Sequence, residues 1–96
     1  MTIGEAIKIV RTRRGLKQGE LAARSEVSQS LVSLVENGRR QPSMDLVQRF
    51  CHAMHIPMQL VVLMGCSPKP GMERYEEQLS RISLAMLELL EKVARE

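Results

Sequence analysis

Aromatic side chains are nearly absent from this chain: Phe50 and Tyr75 are the two in 96 residues, and there is no tryptophan. Any core must therefore be aliphatic, built from Leu, Val, Ile and seven Met, a set that fits between helices without exacting geometry. Cysteine is equally scarce. Cys51 and Cys66 are too few and too irregularly spaced for a disulfide framework, and no apolar stretch with a cleavage site opens the chain, so a reducing, cytoplasmic setting is expected. Long apolar runs are missing too. The longest, 58–64 with Gln59 inside it, falls far short of the roughly 20 residues a membrane-spanning helix needs, which excludes a bilayer as partner.

What is present is enough for one domain. An apolar content of 44% can fill a modest core without staples. The formal net charge of +3 is unevenly spread: residues 1–40 hold eight Lys or Arg against four Glu, whereas from residue 72 onward four cations face six Glu. A basic front half points to a polyanionic partner, although basic faces are often merely solvated.

Thr2 with Glu5 three residues later reads as a capping box, followed by Ile3, Ala6, Ile7 and Val10 at helical spacing and by Gly15 as a stop. A second short helix spans about 18–25, with Leu21 and Ala22 facing inward. Ser28 can cap a third that closes at Gly38, and Ser43 a fourth bearing Leu46, Val47, Phe50 and Met54 on one face. A fifth begins at Pro57, runs apolar to Met64 and ends at Gly65, so most of it must be buried in the core or against a partner. These five make a domain over 1–65. Residues 66–71, with two prolines and a glycine, read as a linker, and 72–96 as a separate element. The stretch 72–95 has no Gly or Pro and would form a helix roughly 35 Å long. Its residues Tyr75, Leu79, Ile82, Met86, Leu89 and Val93 step by four and three as a heptad seam, with Leu87, Leu90 and Ala94 widening that face.

Residues 18–38 place two short helices about a tight turn. Ala22 must be small where the second helix crosses, Val27 fills the space beneath the turn, and Val32 and Val35 line the inner face, leaving Gln29, Ser30 and Ser33 pointing outward. Together with Arg11, Gly15-Leu16, Gln18, Glu20-Leu21-Ala22, Val27-Ser28-Gln29-Ser30, Glu36-Asn37-Gly38 and Pro42-Ser43, this ordering resembles the phage-repressor or Xre-type helix-turn-helix family over residues 3–65. The resemblance implies an all-α chain: a compact five-helix domain, here followed by a long amphipathic helix. It implies a dimeric transcriptional repressor that occupies an operator in double-stranded DNA. By position, Gln29, Ser30 and Ser33 would read base edges, Gln18, Asn37, Arg39 and Arg40 would hold phosphates, and Arg11 would pair with Glu36 as a structural ion pair. Gln carries the donor and acceptor that match the major-groove edge of adenine, and Ser reads either partner less strictly.

The chain departs from the family pattern at three places. Glu26 stands at a turn position usually held by Gly, so that backbone is either relaxed or left-handed at some cost, and His55 replaces the usual Gly after the fourth helix. Leu31 and Leu34 stand where polar or basic residues are common, and either can meet a thymine methyl or a protein partner. Cys51 and His55 share a helix face beside His52, but two ligands do not make a metal site, and no nucleophile, base and orienting group converge. No enzymatic activity, metal or cofactor is expected. The terminal heptad can complete the fold, dock another protein or form a homodimer seam through Leu79, Ile82, Met86, Leu89 and Val93. The last is preferred, because useful specificity comes from two half-sites one helical turn apart. The same domain would also serve an antitoxin or a restriction-modification controller whose tail engages a partner. In another class, it would serve a protein-interaction module that keeps the fold.

Overall fold

Local side-chain chemistry sets where the helices begin. In the computed structural model, which describes residues 1–65 and 75–95, Thr2 Oγ1 accepts the Glu5 N–H at 3.1 Å and opens α1 (Ile3–Arg13). At α2 (Gln18–Ser25) the arrangement is reversed, the Glu20 carboxylate accepting the Lys17 N–H at 3.0 Å. Ser28 Oγ caps α3 (Gln29–Glu36) through the Leu31 N–H, and Ser43 Oγ caps α4 (Met44–Ala53) through the Leu46 N–H, both at 3.1 Å. Pro57, which cannot donate a helical hydrogen bond, directly precedes α5 (Met58–Gly65). The last helix, α6 (Glu76–Arg95), begins just after Tyr75. The expected linker 66–71 and the first residues of the expected terminal helix, 72–74, lie outside the described residues, as do the side chains of Leu79 and Val93.

The turn between α2 and α3 sets the angle of the motif. It closes through Val27 N–H to Ala22 O at 3.0 Å, with Glu26 at φ 59°. A left-handed non-glycine residue costs about 1–2 kcal/mol, and the cost is accepted here because the turn seats Val27 against the core. His55 takes the same conformation after α4, at φ 55°.

One apolar core results, aliphatic apart from Phe50 and centred on fully buried Ile7, Val10, Leu21, Val32, Val35, Val47, Phe50 and Val61. Helices α1 and α5 pack together, α2 lies against α3 and α4, and α6 rests on α5. Two glycines permit the closest approaches. A Cβ on Gly4 would collide with the Val35 carbonyl of α3, and one on Gly65 would sit 2.5 Å from Ile3 Cα. The rotation of α6 is the feature the heptad pattern does not decide. Leu87 is fully buried and joins the core, with Leu84 and Leu90 half-buried beside it. Arg13 of α1 reaches Glu88 at 3.7 Å and Glu91 at 3.6 Å. The helix thus completes its own domain with the Leu87 side. Ile82, Met86 and Leu89 remain 53%, 43% and 61% exposed.

Candidate nucleic-acid interface

The site is organised from beneath by one buried carboxylate. Glu36, at the last turn of α3, has a side chain only 1% exposed. Arg11 of α1 donates to it twice, from Nε to Oε2 at 2.7 Å and from Nη2 to Oε1 at 3.0 Å, and uses Nη1 to hold the Leu16 carbonyl at 2.7 Å. Gln18, at the start of α2, donates Nε2 to Glu36 Oε1 at 3.0 Å. Three helices and the α1–α2 loop are therefore tied to one planar pair, a bidentate geometry that lysine could not supply.

This hub fixes α3 with its apolar face inward and its polar face out. Val32 and Val35 are buried, while Gln29 and Ser30 are exposed. The Gln29 amide lies over the first turn of α2, where Gly19 leaves the space open: a Cβ there would stand 3.4 Å from Gln29 Oε1. Ser33 is half-buried, and its Oγ accepts from Asn37 Nδ2 at 3.3 Å. Gln18, Gln29, Ser30 and Ser33 come together around one open concavity, with Leu34 as its remaining wall. The two leucines that the sequence left open are thus separated: Leu31 packs against the core, whereas Leu34 is exposed.

Asn37, Arg39 and Arg40 follow α3 at the surface. Gly38, at φ 73°, turns the chain, and the Leu34 carbonyl accepts both the Arg39 N–H at 2.9 Å and the Arg40 N–H at 3.2 Å. The backbone of both arginines is therefore pinned. Arg40 also borders a cleft formed with Thr2, Ile3 and Gly4 at the start of α1. Among the described residues neither Arg39 nor Arg40 makes an ion pair, in contrast to Arg11, Arg13, Arg49 and Arg81. Arg11 is committed to the buried pair with Glu36, whereas Arg39 and Arg40 are exposed to solvent.

The sequence marks Gln18 as a phosphate contact and carries no local sign of its bond to Glu36, which lies 18 positions away and is already matched with Arg11. The outer surface of α4 and α5 was also missed. Met44, Met58, Val62 and Leu63 line an apolar concavity there, visible only once α5 has turned Leu60, Val61 and Met64 inward. Cys51 is buried, and burial pushes its thiol up to about 11, so it stays neutral at ordinary pH. Among the described residues no group of three or more His, Cys, Asp or Glu is placed to hold a metal ion, and no helix is long and apolar enough to cross a membrane.

Known proteins share the helix-turn-helix portion of the chain. The family profile described as "Helix-turn-helix domain" matches residues 2–64. The transcriptional regulator ClgR of Mycobacterium tuberculosis is 28% identical over 61 residues, which is 64% of this chain and 54% of that protein. The immunity repressor protein of Bacillus phage phi105 is 32% identical over 62 residues, 65% of this chain and 43% of that protein. The chain thus spans about half the length of the curated relatives it matches. Among solved structures, the clp gene regulator ClgR from C. glutamicum superposes with a TM-score of 0.64 at 32% identity, covering 66% of this chain and 82% of that one.

Proposed function

From its membership of the helix-turn-helix domain family, to which residues 2–64 belong, we propose that the chain is a non-enzymatic, sequence-specific binder of double-stranded DNA that regulates transcription in the cytoplasm. It acts as a homodimeric repressor on an inverted-repeat operator. The observation that carries the reading is the outer face of α3: Gln29 and Ser30 exposed at the start of a helix whose opposite side is locked to the core through Glu36. The N-terminal residues of such a helix reach base edges when it enters the major groove. Gln29 is set to bond adenine through its donor and acceptor, and the hydroxyls of Ser30 and Ser33 read neighbouring edges. A primary amide carries two N–H groups, so Gln18 can keep one on Glu36 and offer the other to a phosphate beside the start of α2. Asn37, Arg39 and Arg40 hold the backbone on the other side of the reading helix. Phosphate contacts fix register and base contacts fix sequence.

Selection of bound duplexes from a random pool about 30 base pairs long tests the whole reading, with enriched half-sites about one helical turn apart as the expected result. A pool that stays random removes DNA as the partner. Replacing Gln29→Ala is expected to weaken binding to the selected duplex by about 1–3 kcal/mol and to relax the preference at one position of each half-site. If the variant selects the same sequence as the parent chain with the same stringency, Gln29 does not read a base.

The dimer seam of this proposal is the stripe on α6. Ile82, Met86 and Leu89 follow one another by four and three on the side away from Leu87, an apolar ridge that a second copy would cover; Leu79 and Val93 continue the same register. The joint change Ile82→Lys and Leu89→Lys places two charges on surface positions of the single chain. Sedimentation is expected to give a monomer with helix content preserved. A doubly substituted chain that still sediments as a dimer places the seam elsewhere.

A further inference from the structure

The polar face of α3 contains one apolar exception. Leu34 is 38% exposed, although Leu31, one turn before it, is packed against the core. The backbone under it is tied to the following turn, since the Leu34 carbonyl receives the N–H groups of both Arg39 and Arg40. Its side chain forms one wall of an open concavity of about 430 Å³ whose other walls are Gln18, Gln29, Ser30 and Ser33. A leucine among hydrogen-bonding groups at the surface gains little within its own chain and would be better buried. Yet it lies one turn along from Ser30, on the side of the helix that presents Gln29 outward.

The major groove offers such a side chain one kind of partner. Its base edges display hydrogen-bond donors and acceptors in every pair, and the apolar group among them is the C5-methyl of thymine. We propose that Leu34 is a specificity-determining residue that takes a thymine methyl in each half-site, on a base pair next to those met by Gln29 and Ser30. The assignment rests on the DNA-reading role of α3 proposed above. It supplies what that polar set lacks: Gln and Ser fix donors and acceptors, whereas a leucine distinguishes thymine from cytosine by shape and dehydration. The walls around it do not compete, since none can fill an apolar contact.

Replacing one thymine at a time by deoxyuridine in the duplex selected by the full-length chain removes a methyl group and leaves every hydrogen-bonding atom in place. The parent chain is expected to lose about fourfold in affinity at one thymine of each half-site, the effect of exposing one buried methyl. The Leu34→Ala chain, whose side chain is too short to reach the same methyl, is expected to bind the thymine and deoxyuridine duplexes equally, with its helix content unchanged and at most a small loss of stability because the position is 38% exposed. Equal affinity of the parent chain for every deoxyuridine duplex overturns the assignment while leaving the DNA-reading role intact, and so does a Leu34→Ala chain that keeps the parent's discrimination. A selection that enriches no duplex overturns both together. As a second variant, Leu34→Gln is expected to shift the preference at that same base pair and at no other.

Discussion

Replacing Arg11→Ala is expected to destabilise the chain by about 3–5 kcal/mol, because it removes the cation from a carboxylate that cannot reach water. The Glu36 side chain is 1% exposed and would keep Gln18 Nε2, at 3.0 Å, as its donor. The Leu16 carbonyl would lose its Arg11 Nη1 donor at the same time. Domains of this size are stable by about 5–15 kcal/mol, so the variant should be largely unfolded at temperatures where the parent is intact. Urea titration measures the difference. The control is the joint change Arg11→Met and Glu36→Leu, which removes both charges and refills the space. It is expected to recover most of the loss, since a buried pair adds little net stability over apolar residues even when breaking it is costly. It should not recover DNA binding in full, because Gln18 and the tilt of α3 both depend on Glu36. An Arg11→Ala chain that loses under 1 kcal/mol would show that the three helices hold their places without the pair.

The parts of this molecule governed by local chemistry are legible in the sequence, and the parts governed by a choice between equivalent faces are not. Thr2, Ser28 and Ser43 announce their helices because a capping oxygen needs only the N–H three residues on. The turn at Glu26 is legible only in its place: the resemblance marks the position as one usually held by Gly, but a glutamate there leaves a relaxed backbone and a left-handed one both open, and the structure has the left-handed one. Leu31 and Leu34 stand only about 60° apart around α3, and both are leucine, so pattern alone cannot say which one meets the core. Packing beneath the helix takes Leu31 and leaves Leu34. On α6 the ambiguity is larger, for apolar residues cover so wide an arc that two different stripes could face the domain. Leu87 fits into the core beside α5, Arg13 holds Glu88 and Glu91 from α1, and the heptad stripe is left outside as a consequence.

Removing both cations that follow α3, in the joint change Arg39→Ala and Arg40→Ala, is expected to lower affinity for the selected duplex by roughly 100-fold or more at low salt. Neither arginine makes an ion pair among the described residues, so each is exposed as an unneutralised charge. Their backbone N–H groups are fastened to the Leu34 carbonyl, which keeps both residues beside the reading helix and leaves only the side chains to be ordered on binding. Each phosphate neutralised releases condensed counterions, and the logarithm of affinity falls with the logarithm of salt by about 0.9 per contact. A dimer that loses two contacts per protomer should therefore show a salt slope shallower by about 3 to 4. The sequence preference should survive, because phosphate contacts carry no base information. These expectations distinguish the arginines from Gln29, whose loss should alter preference and leave the slope nearly untouched. A slope unchanged in the Arg39→Ala and Arg40→Ala chain would mean that the cations do not touch DNA. The basic front half of the sequence would then act through α1 and α2, where Lys8, Lys17 and Arg24 are also exposed.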